Sequence, residues 1–571
     1  MTERYEGLKA SSGIAIGNIY LFTREEIVVD NTKIEENAVE TEFQRVKESI
    51  QSYIDDLSKL MGQSETQANI ALAHTELLQD PYFTDTIESK ITKDLKNAEL
   101  ALDETIKEMV ETMSQIDDDY LRERASDYKD IGLQVMYKLK GIKAKDLSNL
   151  DEGSIVIAEE LTPSDTSNMN KKAVVGFATD LGGKTSHTSI IAQTLDLPAL
   201  VGMGDISKKV KGGEVSIIDS NEGILIINPT DEEIETYKKL IAEEKDRKER
   251  LKTLKDSKAI TTDGKKIEVS ANIGNIEDLK IAIENGCDGV GLFRTEFLYM
   301  QSSDFPTEDY QFEVYKEATE LLGDKPLIVR TLDIGGDKGL DYFDFPKEDN
   351  PFLGYRAIRL CLDKVSMFKD QLRALVRASA YGNLKIMVPF VISPSELKKV
   401  RELVEEIKKD LDDKGIAYNK DLDIGIMVET PAAVLMADKF IKYADFFSIG
   451  TNDLTQYTLS VDRGNDNIAN LYSNYNPAVL RAIKHVIDVS HEAGKWTGMC
   501  GAFASDTEAT KLLLGLGLDE FSGSSAKIAE IKDIVMRSST EVEAEFANKV
   551  LDLEETDEVE KYVSDYNEQN L

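Results

Sequence analysis

Four histidines occur in this 571-residue chain, and one of them, His187, lies in the stretch DLGGKTSHTSIIAQTLDLPALVG. A strand is expected to end near Asp180. Gly182 and Gly183 then permit a tight turn, and an apolar helix begins between Thr185 and Thr188. His187 thus falls at a helix N-terminus, flanked by the hydroxyls of Thr185, Ser186, Thr188 and Ser189. Free backbone N–H groups and the helix dipole stabilise an anion at such a place. A neutral imidazole nitrogen can attack phosphorus, and the phosphoimidazole formed is a reactive carrier, suited to being handed on. A histidine beside a glycine turn can equally be structural. Gly183-Lys184-Thr185 imitates the end of a nucleotide P-loop, but the glycine required five places earlier is Ala178, which excludes that reading.

A second set of chemistry-bearing residues lies further along. Arg294 stands in GLFRTEF, Arg330 with Asp333 and Lys338 in VRTLDIGGDKG, Arg356 in NPFLGYRAIR and Arg463 in VDRGN. The planar guanidinium fork binds phosphate or carboxylate through two parallel hydrogen bonds; it can also lock a loop by pairing with a neighbouring acid. Glu429 in MVETP and Asp453 in GTNDLTQY can converge on one hard cation. Mg2+ takes oxygen ligands and keeps waters and substrate oxygens besides, so two protein carboxylates suffice. Without a metal the same acids would neutralise the arginines. Cys500 in WTGMCGA offers a thiol as general acid, or else a small core residue.

These residues need elements to hold them. Eight apolar, β-rich runs alternate with helical stretches: IEVSANI, GVGLFRT, LIVRTLD, KIMVPFV, IGIMVET, FFSIGTND, WTGMCGA and EFSGSS. That pattern predicts a (β/α)8 TIM barrel over 259–571. Arg294, Arg330 with Asp333, Glu429, Asn452 with Asp453, and Cys500 all fall at the C-terminal ends of these runs, the rim where such barrels bind substrate. Ahead of the barrel, the first twenty residues read as two short strands around glycines. Strand character returns at SIVIAEELT, KKAVVGFATD and GEVSIIDS, so 1–21 and 148–229 are expected to form one β/α domain. It is interrupted at 22–147 by helical periodicity almost free of Gly and Pro. A highly charged stretch at 230–258 reads as an exposed linker helix.

Composition narrows the function classes. A net charge of −38 disfavours nucleic acid as a partner and suits a basic protein partner, although composition alone favours a salt-adapted or simply soluble surface. Three cysteines cannot build a disulfide framework and fit a reducing cytoplasm. The N-terminus has no apolar core of signal-peptide type, and no run is long and apolar enough for a membrane span.

The string GGKTSHTSIIAQTLDLPALVG, with ELTPSDT before it, resembles the phosphohistidine motif of the Enzyme I family of the phosphoenolpyruvate:sugar phosphotransferase system. Pyruvate phosphate dikinase and phosphoenolpyruvate synthase carry a related motif, but they need an ATP-grasp domain for which this length and order leave no room. The resemblance runs almost end to end. It implies a swivelling phosphohistidine domain with an inserted helical bundle, followed by a barrel that binds phosphoenolpyruvate and forms a homodimer. It also implies transfer of the phosphoryl group to His187 and then to the carrier protein HPr, with release of pyruvate, in the first step of sugar uptake.

Residue by residue, the resemblance places Thr166 near the His187 ring, with Gly183 and Thr185 in support. Arg294 and Arg330 match phosphate-binding arginines, and Arg463 with Asn452 and Asp453 match further substrate contacts beside Lys338 and Arg356. Glu429 and Asp453 would hold Mg2+, and Cys500 would be the proton donor. Ala502-Phe503 follows, where many relatives carry a glutamate and an aliphatic residue. The helical insert would be the HPr platform, with His74, Leu77 and Leu78 as a contact patch; ordinary bundle packing is the other reading of those three. A dikinase relative without its nucleotide domain, and a regulatory phosphorelay protein, are the competing readings.

Overall fold

The computed structural model describes residues 2–570 except 25–26, 61–64, 115–118, 143–146, 149, 163, 166–168, 171, 184–186, 196, 337 and 341. For residues 60, 65–70, 114, 119–124, 126, 187, 190, 194 and 466 only the backbone is described. The chain forms two compact units, Met1–Asp246 and Arg247–Leu571.

The first unit holds an eight-stranded sheet. Its strands are β1 (Glu3–Glu6), β2 (Leu8–Ser11), β3 (Ile14–Phe22), β4 (Ser154–Ala158), β5 (Val174–Thr179), β6 (Ala199–Val201), β7 (Val215–Asp219) and β8 (Ile224–Ile227), in the order β1-β8-β7-β3-β4-β5-β6-β2. Three strands, not the two expected, occupy the first 22 residues. Gly7 alone separates β1 from β2, yet β1 pairs antiparallel with β8 and β2 pairs antiparallel with β6. One kinked ribbon therefore hydrogen-bonds to both edges of the sheet. A Cβ on Gly7 would meet the Met203 side chain at 2.7 Å, so Met203 would have to shift for any larger residue there. Alternation along β4 sends Ile155 and Ile157 to one core and Val156 and Ala158 to the other, as a sheet covered on both faces requires.

The insert between β3 and β4 consists of helices α1 (Val39–Leu60), α2 (Glu65–Gln79), α3 (Pro81–Asp94), α4 (Ala98–Ser114) and α5 (Asp119–Lys140). Leu57, Phe83, Ile87, Leu102, Ile131 and Val135 make its core. Asp80 caps α3 by accepting from the Tyr82 N–H, with Pro81 in the first turn, the position where proline's missing N–H costs nothing. The insert is tied to the β/α part by Asp130, which accepts from the Ser164 N–H at 3.0 Å, and by Tyr53, whose hydroxyl lies 3.1 Å from Ser164 Oγ.

Helix α6 (His187–Leu195) follows β5 in the first unit, and helix α7 (Asp231–Thr253) has no buried residue. In the second unit, strands β9 (Glu268–Ile273), β10 (Val290–Arg294), β11 (Leu327–Arg330), β12 (Leu384–Val388), β13 (Ile424–Val428), β14 (Phe447–Ile449), β15 (Thr497–Met499) and β16 (Glu520–Gly523) close into a parallel barrel. All eight expected runs are its strands. Their outward side chains pack against the surrounding helices in one continuous core. Among the described residues, no helix is long and apolar enough to cross a membrane.

Candidate active site

The strand ends deliver the chemistry. Arg294 is the last residue of β10 and Arg330 the last of β11, while Glu429 follows β13 and Cys500 follows β15. Asn452 and Asp453 lie in the first turn of helix α8 (Thr451–Leu459), directly after β14. Together with Lys338, Arg356 and Arg463 they line one cavity of about 460 Å³ at the C-terminal rim. Two glycines make room for this set. Gly335 has φ +112°, and a Cβ on it would stand 2.5 Å from that of Arg356. A Cβ on Gly450 would stand 3.1 Å from Glu429 Oε2.

Most of the cations are already engaged. Arg330 pairs with Glu296 and, at 2.9 Å, with Asp333. Arg356 bridges Asp333 at 3.0 Å and Asp453 at 3.3 Å, with its guanidinium over the Phe390 ring. Lys338 donates to Glu296 at 3.0 Å. Arg463 reaches Asp453 Oδ1 at 3.7 Å. Arg294 differs: it is half-buried, it faces the cavity, and among the described residues it makes no ion pair. Five cationic and four acidic side chains thus share the cavity wall, and among the described residues one guanidinium fork is in no ion pair.

Burial pushes the Asp333 carboxyl up, but Arg330, Arg356 and Lys338 outweigh it and hold Asp333 below the ordinary carboxylate range. Glu429 goes the other way. Burial, then the charges of Asp453 and Asp333, push it up to about 8, although Phe390 donates its N–H to Oε1. The buried Oδ1 of Asp453 accepts no hydrogen bond among the described residues. Two buried, mutually repelling acids side by side are a donor set that fits a hard divalent cation. Cys500 is 3% exposed, and burial pushes its thiol up to about 12, so it is held protonated. Its Sγ donates to the Ile449 carbonyl at 3.9 Å. Ala502 donates its N–H to Asn452 Oδ1 at 3.0 Å, fixing the loop that carries the thiol.

Helix α6 begins at His187, where the glycine turn predicts it, with Gly182 at φ +110°. Ser189 Oγ donates to the Gly183 carbonyl at 2.7 Å, and Thr188 Oγ1 to the Leu161 carbonyl at 3.1 Å. The helix start is therefore stitched to both the turn and the ELTPSDT segment. Thr166, Thr185 and the His187 side chain lie outside what the structure describes.

The expected contact patch on α2 is corrected. His74 and Leu78 are each only 1% exposed, and Leu77 is half-buried against the bundle core. His74 Nδ1 lies 3.1 Å from the Tyr53 hydroxyl. These positions, four apart, turn one helical face inward, so packing and not contact explains them. Sequence reasoning also passed over Glu296 as a partner of Arg330 and Lys338. Its signal was the acid two places after Arg294 in GLFRTEF.

Three family profiles match the chain: PEP-utilising enzyme, N-terminal, over 6–124; its mobile domain over 150–223; and its PEP-binding domain over 248–540. A phosphoenolpyruvate-protein phosphotransferase of Staphylococcus aureus is 43% identical over 572 residues, covering 99% of this chain and 100% of its own. That of Listeria innocua is 43% identical over 571 residues, with the same coverage. That of Geobacillus stearothermophilus is 44% identical over 562 residues, covering 98% of this chain and 97% of its own. With barrel, mixed sheet and helical insert all matched end to end, the chain belongs to the phosphoenolpyruvate-protein phosphotransferase family, Enzyme I.

Proposed function

We propose that this enzyme transfers the phosphoryl group of phosphoenolpyruvate to His187 and then to the carrier HPr, releasing pyruvate at the head of a sugar phosphotransferase system. The observation that carries this reading is the rim cavity, where Arg294, in no ion pair among the described residues, faces a lattice of paired cations beside a buried, protonated thiol. Arg294, Arg330 and Lys338 bind the phosphate, which carries most of the negative charge. Arg463 and Asn452 orient the carboxylate end, and Arg356 keeps Asp333 and Asp453 in place. Glu429 and Asp453 are the residues that would hold Mg2+, which when bound supplies positive charge against the substrate's phosphate.

An imidazole nitrogen of His187 forms a bond to phosphorus as the phosphorus–oxygen bond to enolpyruvate breaks. The phosphohistidine is stabilised by the N-terminus of α6, and Thr166, Gly183 and Thr185 would support the ring. Enolpyruvate then takes the Cys500 proton at its methylene carbon and becomes pyruvate. The enzyme is read as cytoplasmic, and as a homodimer through the barrel, which sedimentation would test.

Incubation with phosphoenolpyruvate, Mg2+ and HPr tests the whole scheme. Label should appear on His187 and then on HPr. Labelling of a His187→Ala variant would sink the mechanism, and label that never reaches HPr would sink the carrier assignment. Full transfer after chelation of divalent ions would remove Glu429 and Asp453 from the metal role.

A further inference from the structure

The loop that carries the candidate acid is held from several sides. Cys500 donates its N–H to the Ile449 carbonyl at 3.1 Å, the ordinary bond of neighbouring parallel strands. A Cβ on Gly501 would lie 1.9 Å from Thr451 Oγ1, so a larger residue would push the loop off the start of α8. The Cys500 carbonyl finds its donor elsewhere. Among the described residues that donor is a side chain, Asn272 Nδ2, at 3.0 Å.

Asn272 reaches it from a distant strand. β16 lies between β9 and β15 in the barrel order, so the bond passes over the strand between them. Alternation makes the side chain available. Val269, Ala271 and Ile273 of β9 pack outward in the main core, which turns Ser270 and Asn272 inward. On β16, Phe521 packs outward, while Glu520, 2% exposed, and Ser522 turn inward. Ser522 Oγ donates to Asn272 Oδ1 at 2.8 Å, and a Cβ on Gly291 would lie 2.5 Å from that hydroxyl, so glycine makes room for it. Both ends of the amide are therefore engaged. A carbonyl accepts and cannot donate, so Nδ2 must face Cys500 and Oδ1 must face Ser522. Aspartate here would set one acceptor against another, and leucine would leave both partners without their bond.

We propose that Asn272 is a positioning residue for the proton transfer: held by Ser522, it fixes the peptide that follows the thiol and so aims Cys500 at one face of enolpyruvate. The inference rests on Cys500 being the proton donor. The thiol's S–H bond breaks as a C–H bond forms at the methylene carbon. The enolate oxygen becomes the ketone of pyruvate, and the thiolate regains a proton from solvent. That methylene carbon is planar, so the face from which the proton arrives is written into the product. A thiol free to turn delivers its proton late, and enolpyruvate that leaves first is protonated by water on either face.

The test reads that handedness, using the full chain with Mg2+ and HPr in tritiated water. The substrate is phosphoenolpyruvate carrying one deuterium at a defined methylene position. The wild type should give pyruvate whose methyl group has one configuration. Asn272→Leu should lower kcat on the order of 10²-fold, leave KM for phosphoenolpyruvate within about twofold, and give both configurations. Ser522→Ala keeps the donor but frees the amide, and should show the same mixing with a smaller loss of rate. A single configuration from Asn272→Leu overturns the proposal at any rate of turnover, because a slow enzyme of unchanged handedness has lost only structure. Should Asn272→Leu fail to fold, Ser522→Ala decides in its place by the same criterion. Cys500→Ala supplies the distinction from the parent reading: wild-type turnover there removes Cys500 as donor, whatever Asn272 does.

Discussion

Arg294 and Arg356 both line the cavity, but their surroundings make them different experiments. Arg356 neutralises Asp333 and Asp453 inside the protein, so Arg356→Met should cost about 3–5 kcal/mol of stability by leaving buried acids uncompensated. Arg294→Met should leave stability nearly unchanged while lowering kcat/KM at least about tenfold, the loss of one charge-assisted substrate contact. Denaturant melts and steady-state kinetics on the two variants check the contrast. Glu520 gives the opposite sign. Its folded-state pKa is raised to about 8, so the unfolded chain releases its proton first, and stability falls as pH rises from the ordinary glutamate value to about 8. Glu520→Gln should therefore be more stable than wild type by about 2–3 kcal/mol at pH 7, with the gain vanishing near pH 4 in pH-dependent melts. Arg294, Arg330, Glu429, Asn452, Asp453 and Cys500 were legible in sequence because they stand where apolar runs stop. Glu296 was not, because an acid two places past a strand end reads as a helix-start charge until its partners are seen. His74 and Leu78 were misplaced because periodicity reveals a face without saying what covers it.

The barrel strands were the most legible elements. Strands buried on both faces read as continuous apolar runs bounded by turns, and all eight did. The N-terminal strands were harder, since a single glycine between two four-residue strands leaves no loop to notice. The end of the linker shows a device that spacing could not reveal. Lys532, 1% exposed, donates to the carbonyls of Ser257 at 2.9 Å and Gly286 at 2.7 Å, and pairs with Asp288 at 3.1 Å. It ties the segment before β9 to the helix after β16, closing the barrel's foot. Lys532→Met should cost about 3–5 kcal/mol, because it strips buried acceptors of their donor. Calorimetry should place that loss in the melting of the barrel unit.

At the scale of the whole molecule the governing quantity is the net charge of −38. If HPr is met through its basic surface, association is steered electrostatically and screened by salt. Transfer to HPr should slow about tenfold between 0.05 and 0.5 M salt, while labelling of His187 in the absence of HPr changes far less. Rapid-quench measurements of the two steps distinguish them. The kinked ribbon of the first eleven residues has another consequence. An exposed sheet edge is a template for pairing with a second chain, and here the two edges are the four-residue β1 and β2, each short enough to make a poor template. Removing residues 1–12 would bare the flanks of β6 and β8 together. The shortened protein should scatter light on mild warming while its barrel still melts as before, which makes a dozen residues with no part in the chemistry the molecule's guard against self-association.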